Sequence, residues 1–266
     1  MTHTNKVVIL AGGFGTRLSE ETSVLPKPML SVGDKPILHH IMDSYMEHGF
    51  NSFVVAAGYK CEQILAYFLK FMSVIDTPDG WLSGETLESG WNFKSDSFSV
   101  QVIDTGLKTQ TGGRLKRLAP FLDDTFLMTY GDGLSNVNIG EEFKWHKSDR
   151  FYKKHKVTLT AVPPVPRFGT LRIEPKTRNV LQFGEKVYEG HNWINGGFMV
   201  IEPEVLGYIK DDQTNFEKDV LPVLAQEHTL YAHCHNGFWH CIDTKRDLDE
   251  INRIQKEEGE RWLMQS

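Results

Sequence analysis

A chain of 266 residues with 40% hydrophobic and 24% charged content has the composition of an ordinary soluble globular protein, with enough sequence for one large domain or two small ones. Its net charge of −6 argues against a nucleic-acid binder, no apolar run approaches the ~20 residues of a membrane span, and the stretch before Lys6 has no hydrophobic segment of leader type. The three cysteines, Cys61, Cys234 and Cys241, are too few for a disulfide framework and fit a reducing, cytoplasmic compartment.

The first ordered stretch, residues 6–29, sets the frame. Val7, Val8, Ile9, Leu10 and Ala11 form a continuous apolar run with β-branched members, which predicts a strand buried on both faces. The run stops at Gly12-Gly13, and Gly15 follows one residue later. Such glycines let a loop set bare backbone N–H groups against an anion. Thr16 is placed to cap the next helical turn, and Arg17 and Lys27 add side-chain positive charge. This is a phosphate site by physical description, yet it matches neither common motif. Leu18 stands where the third glycine of a dinucleotide fingerprint belongs, and no lysine follows the glycines as a P-loop requires. The missing glycine also removes a nicotinamide oxidoreductase from consideration.

Ile37, Leu38, Ile41, Met42, Tyr45 and Met46 recur at helical spacing, closed by Gly49. A strand at 53–57 and a helix at 61–71 follow, so the order is strand–helix–strand–helix and the class is α/β with helices on the faces of a parallel sheet. Residues 72–97, with Trp81, Trp91 and several glycines, break the rhythm. They read as an insertion, either a subunit contact or a loop whose tryptophans pack on their own domain. A strand at 98–104 leads to the polar cluster Thr109-Gln110-Thr111-Gly112-Gly113-Arg114 and a short helix at 114–121. Next come a strand at 125–130, a helix at 141–147 and a strand at 157–162. An irregular region with Pro163, Pro164 and Pro166 suggests an appended substrate lobe. The chain closes with strands at 196–201, 229–235 and 238–242, a helix near 215–226, and a charged helix from Thr244. The expected organisation is a single domain, 1–266, with a nucleotide core at about 1–150 and a sugar-binding and C-terminal part at about 151–266. The strand ends after Ala11, Asp104 and Tyr130 should bear on one crevice, where ligands sit in open α/β sheets.

Asp132 lies between two glycines directly after a buried strand, and Asp243 follows the apolar Cys241-Ile242. Two carboxylates meeting at sheet ends suit Mg²⁺, which takes one or two carboxylates plus phosphate oxygens and water. The run His233-Cys234-His235 with His240-Cys241 does not suit zinc, because strand alternation turns Cys234 away from its neighbours and no ligand spacing of zinc type is present. Glu185-Lys186 ahead of Trp193-Ile194-Asn195-Gly196-Gly197 offers an acceptor, a cation, an amide and close backbone approach, the parts a sugar phosphate needs.

These motifs together (L-A-G-G-x-G-T-R-L, P-K-P, G-D-G, E-K, N-G-G and a late I-D-T) resemble the sugar-1-phosphate nucleotidylyltransferases. T-G-G-R-L-K-R, R-F-G and W-I-N-G-G-F are similar to those members that use CTP and glucose 1-phosphate. The resemblance implies a Rossmann-like nucleotide-diphospho-sugar transferase fold, with a mixed, mostly parallel sheet and a small sugar-binding lobe. It also implies Mg²⁺, transfer of a cytidylyl group to α-D-glucose 1-phosphate with release of pyrophosphate, and a homo-oligomer. By motif, Leu10, Ala11, Gly12, Gly13, Gly15, Thr16 and Arg17 fall on the nucleotide, with Lys27 on the phosphates. Thr109, Thr111, Gly112 and Arg114 match the segment on cytosine and ribose, Asp132 and Asp243 the metal ligands, and Glu185, Lys186, Asn195 and Gly196 the sugar-phosphate pocket. The stretch 187–192 departs from the proline and glycine-rich run expected there. Another sugar 1-phosphate, UTP or dTTP in place of CTP, and a non-catalytic nucleotide sensor stay open on sequence.

Overall fold

The computed structural model describes residues 3–15, 18, 22–70, 72–76, 90–148, 155–164, 170–174, 176–184 and 192–259, with 73–76, 170–173 and 182–184 described by their backbone. Thr16, Arg17, Trp81, Glu185, Lys186 and the R-F-G motif at 167–169 lie outside them.

Among the described residues nine strands form the central sheet: β1 (His3–Leu10), β2 (Phe50–Ala57), β3 (Ser73–Asp76), β4 (Trp91–Lys94), β5 (Ser99–Asp104), β6 (Phe126–Tyr130), β7 (Val157–Val162), β8 (Ile194–Ile201) and β9 (Leu230–Cys234). Their order is β9-β7-β8-β6-β1-β2-β5-β4-β3. The pairings make β4 and β8 antiparallel to their neighbours, so the other strands share one direction and the sheet is mixed but mostly parallel. The central position of β1 follows from its residues. Val7 and Ile9 enter the apolar cluster on one face, while Val8 and Leu10 enter the cluster on the other. Strict alternation with both sides apolar is what a strand covered by helices on both faces requires.

Helix α1 (Ile37–Met46) buries Ile37, Leu38, Ile41, Met42 and Tyr45 as their spacing predicts. Helix α2 (Cys61–Phe68) ends three residues before the expected 71, and Leu69 beyond it is exposed. Helix α3 (Thr111–Arg117) begins three residues earlier than expected, because Gly112 and Gly113 are inside it. A Cβ on either would come within 2.7 Å of the Thr214 carbonyl or 2.5 Å of the Asp212 backbone, so close packing offsets their poor helix propensity. Helices α4 (Ile139–Lys147), α5 (Leu221–Gln226) and α6 (Lys245–Glu258) complete the α-helices among the described residues. The expected helix at 215–226 opens as a π-helical turn, Phe216–Val220. Pro222 lacks the N–H that an α-helical ladder would use there.

Within the stretch read as an insertion, 72–97, β3 and β4 extend the sheet from the edge of β5. Trp91 is half-buried against the core and stacks on Phe93, so it packs on its own domain. Among the described residues three small ribbons lie outside the sheet: Ser31–Val32 with Lys35–Pro36, Thr170–Ile173 with Val180–Gly184, and Gly133–Ser135 with Trp239–Cys241. Among the described residues no helix is long and apolar enough to cross a membrane.

Candidate active site

A cleft of about 350 Å³ opens at the ends of β1, β5 and β6. Its walls are Leu10 to Gly15, Lys27, Pro28, the segment from Leu107 to Thr111, Arg114, and Tyr130 to Asp132. The three strand ends expected to share one crevice do share it.

The glycine loop owes its shape partly to packing. A Cβ on Gly12 would lie 2.0 Å from the Arg114 guanidinium, whereas Gly13 faces open space. Gly15 takes a positive φ of 64°, and its carbonyl accepts from the Leu18 amide at 2.9 Å and the Thr22 hydroxyl at 3.1 Å. Arg114, expected on the nucleotide, is buried beneath this loop. Its guanidinium donates to the Gly12 carbonyl at 2.9 Å, the Ala57 carbonyl at 3.0 Å and the Thr105 hydroxyl at 2.6 Å. Arg114 therefore ties the loop to the ends of β2 and β5 while lining the cleft. Burial lowers its pKa somewhat, against the pull of Asp104. Thr109 is buried, and Thr111 stands at the first turn of α3.

On the opposite wall the chain brings two distant acids together. Asp132 follows Gly131 at the end of β6, and the Gly133–Ser135 ribbon pairs with Trp239–Cys241, delivering Asp243 beside it. The Ile242 amide donates to the Asp132 carbonyl at 2.9 Å and closes the ribbon. Lys27 sits in the turn Lys27–Met29, held by Pro26 and Pro28, and its ammonium reaches Asp132 Oδ2 and Asp243 Oδ1, both at 2.7 Å. Burial alone would lower the Lys27 pKa, but the charge and hydrogen bonds of the two aspartates hold it above the usual lysine value. Asp243 is not the cap of α6. Thr244 fills that position in a capping box with Asp247.

The oxygen and sulfur atoms of Asp132, Asp243 and Cys241 lie within 4.8 Å of one another. The donor set fits a divalent ion, since two convergent carboxylates already accept one cation, the Lys27 ammonium. Cys241 was missed in sequence, although period-two alternation sets it on the same side as Asp243. Burial, then the two carboxylates, push its thiol up to about 12. Cys234 is exposed and stands apart from this group.

Asn195 and Gly196 begin β8, outside the cleft wall. Asn195 Oδ1 accepts from the Gly197 amide at 2.9 Å, and the Gly196 carbonyl accepts from Trp239 Nε1 at 2.7 Å. Of the other expected site residues, Thr16, Arg17, Glu185 and Lys186 lie outside the described residues. Tyr130 and Glu217 also belong to this region, and no motif points to either.

A glycine loop on the central strand and paired acids at a neighbouring strand end define a class of site, and the whole sequence agrees with it. The sequence model of the nucleotidyl transferase family matches residues 6–258. The chain belongs to that family. This nucleotidyl transferase is 42% identical over 244 residues to the glucose-1-phosphate cytidylyltransferase of Salmonella typhimurium, covering 91% of this chain and 92% of the relative. It is 38% identical over 259 residues to the probable glucose-1-phosphate cytidylyltransferase of Bacillus subtilis, covering 97% and 98%. Its fold is similar to that of HddC from Yersinia pseudotuberculosis complexed with GMP-PN, with a TM-score of 0.66, 23% identity, and coverage of 94% and 99%.

Proposed function

We propose that this nucleotidyl transferase moves a cytidylyl group from CTP to α-D-glucose 1-phosphate, giving CDP-glucose and pyrophosphate. Support comes from the relatives' activity and from one geometric observation: the Lys27 ammonium lies between Asp132 and Asp243 at the mouth of the glycine-loop cleft. A sugar phosphate has a second pKa near ~6, so at neutral pH its oxygen is already anionic and needs no general base. The chain's task is to align two polyanions and neutralise the charge that develops between them.

In this reading the amides of the Gly12 to Gly15 loop receive the triphosphate, with Arg17 assigned to the leaving pyrophosphate from its motif. Lys27 neutralises oxygens of the α-phosphate. An oxygen of the sugar phosphate forms a new bond to the α-phosphorus as the bond from that phosphorus to the bridging oxygen breaks, and the electron pair leaves with pyrophosphate. Asp132 and Asp243 would hold Mg²⁺, which supplies Lewis-acid neutralisation of phosphoryl oxygens. Asn195, Gly196, Glu185 and Lys186 are assigned to the sugar phosphate. A homo-oligomer and a cytoplasmic location belong to the same proposal.

The test is pyrophosphate release over a panel of CTP, UTP, dTTP and GTP, each with glucose 1-phosphate and other hexose 1-phosphates. CTP with glucose 1-phosphate should dominate, and chelation should abolish turnover until Mg²⁺ is restored. A higher kcat/KM for another pair would replace the substrate assignment, and full turnover in chelator would remove the metal. Light scattering of the purified protein reads its assembly.

A further inference from the structure

Tyr130 ends β6 at the floor of the cleft, and its ring lies against the start of β8. Gly197, at a φ of 87°, permits this, since a Cβ there would lie 2.7 Å from the Tyr130 ring. The Tyr130 hydroxyl donates to Glu217 Oε1. The same carboxylate receives, on Oε2, the Thr111 hydroxyl at 2.6 Å. Thr111 in turn accepts from the Phe216 amide at 3.0 Å, so its single proton is committed to Glu217. On the other side the Tyr130 ring packs against Gly197, and the Gly197 amide donates to Asn195 Oδ1 at 2.9 Å. Tyr130 thus meets Asn195 through Gly197, and Glu217 accepts from both hydroxyls.

We propose that Glu217 is a positioning residue that joins Thr111 on the nucleotide side to Asn195 on the sugar side through Tyr130, so that filling one subsite improves the other. This rests on the assignment of those two residues to the two substrates made above. Glu217 is half-buried, and among the described residues no cation pairs with it. Its partners are two hydroxyls, which suits a carboxylate that orients neutral groups. Glutamine cannot replace it, because an amide oxygen can take one of the two hydroxyls while the NH₂ can only donate. Glu217 reaches Thr111 across 106 residues of sequence and Tyr130 across 87. It arrives on the π-helical turn that leads into α5.

The experiment is calorimetric titration of the whole protein with glucose 1-phosphate, in Mg²⁺, with and without CTP whose α,β-bridging oxygen is replaced by methylene. The wild type should bind the sugar phosphate at least about 5-fold more tightly when the analogue is present, the lower end of ordinary coupling between sites. Glu217→Gln and Tyr130→Phe should each reduce that factor below about 2-fold, with KM for the sugar phosphate rising more than kcat falls, and the double variant should lose no more than either alone. Unchanged coupling in both variants, or no coupling in the wild type, overturns the proposal. Should Glu217→Gln not fold, Tyr130→Phe cuts the same path with the ring retained. If the substrate panel selects another pair, the CTP and glucose assignment fails by itself, and the titration is run with an analogue of that pair.

Discussion

Two regions of this molecule gather carboxylates away from bulk water, and they treat them in opposite ways. At the cleft, Asp132 and Asp243 keep about a quarter of their side-chain surface and share one ammonium at 2.7 Å. Under β7, Glu142 on α4 is fully enclosed, with Oε2 on the Thr160 hydroxyl at 2.7 Å and Oε1 without a hydrogen bond. Burial pushes its carboxyl up to about 8, and the Thr160 bond recovers little of that. The difference teaches what makes an acid usable. The cleft pair faces a counter-cation and keeps partial access to water, whereas enclosure without a cation favours the neutral form of Glu142.

Removing the shared cation or one acid breaks the comparison most severely. Lys27→Ala and Asp132→Asn should each lower kcat by about 10²–10³-fold, the scale of a lost charge-stabilising group, while melting temperatures move by only a few degrees. Pyrophosphate release and a thermal scan on the same samples check this, and near-normal turnover in either variant sinks the roles given to both. Arg114→Met comes next. Losing its ties to Gly12, Ala57 and Thr105 should raise KM for the nucleotide about 10-fold with a smaller change in kcat, since the loop it braces carries the amides proposed to receive the triphosphate. An unchanged nucleotide KM would show that the loop holds its shape without it.

Glu142→Gln sharpens the other side. Because the folded carboxyl titrates near 8 and the unfolded one near 4.5, its contribution is fully present below pH 4.5 and is lost as pH rises towards 8. The glutamine variant should therefore gain on the wild type across that window, by roughly 3–5 kcal/mol at pH 9, with activity at pH 7 unaltered. Urea titrations at pH 5, 7 and 9 measure it, and parallel pH profiles would contradict the neutral state. The smallest effect is expected at Thr244, whose hydroxyl caps α6. Thr244→Ala should cost about 1 kcal/mol and leave catalysis intact, which chemical denaturation and the same assay will read.

Much of this architecture was readable from the chain because it is local. β1 and α1 are set by apolar periodicity and by the glycines that follow them, Asp132 follows a buried run, and Asp243 follows the apolar Cys241-Ile242. Elements that depend on distant partners were not readable. β3 and β4 are strands only because β5 offers them an edge, and their own residues alternate poorly. The early start of α3 depends on the loop around Asp212, a hundred residues away. Nothing local to Arg114 reveals that its guanidinium donates to three protein acceptors. Glu217 carries no motif at all, and its meaning lies entirely in what the fold brings to its two oxygens.

The narrow ribbon of Gly133–Ser135 and Trp239–Cys241 has a consequence for biogenesis. The cradle proposed for the triphosphate is made from segments that leave the ribosome early, yet its second acid is encoded more than a hundred codons after the first. A nascent protein halted before Asp243 can assemble the cradle without the paired acids, and competence for chemistry arrives only when the late strand closes onto its early counterpart. Chain-terminated fragments should thus retain nucleotide without consuming it.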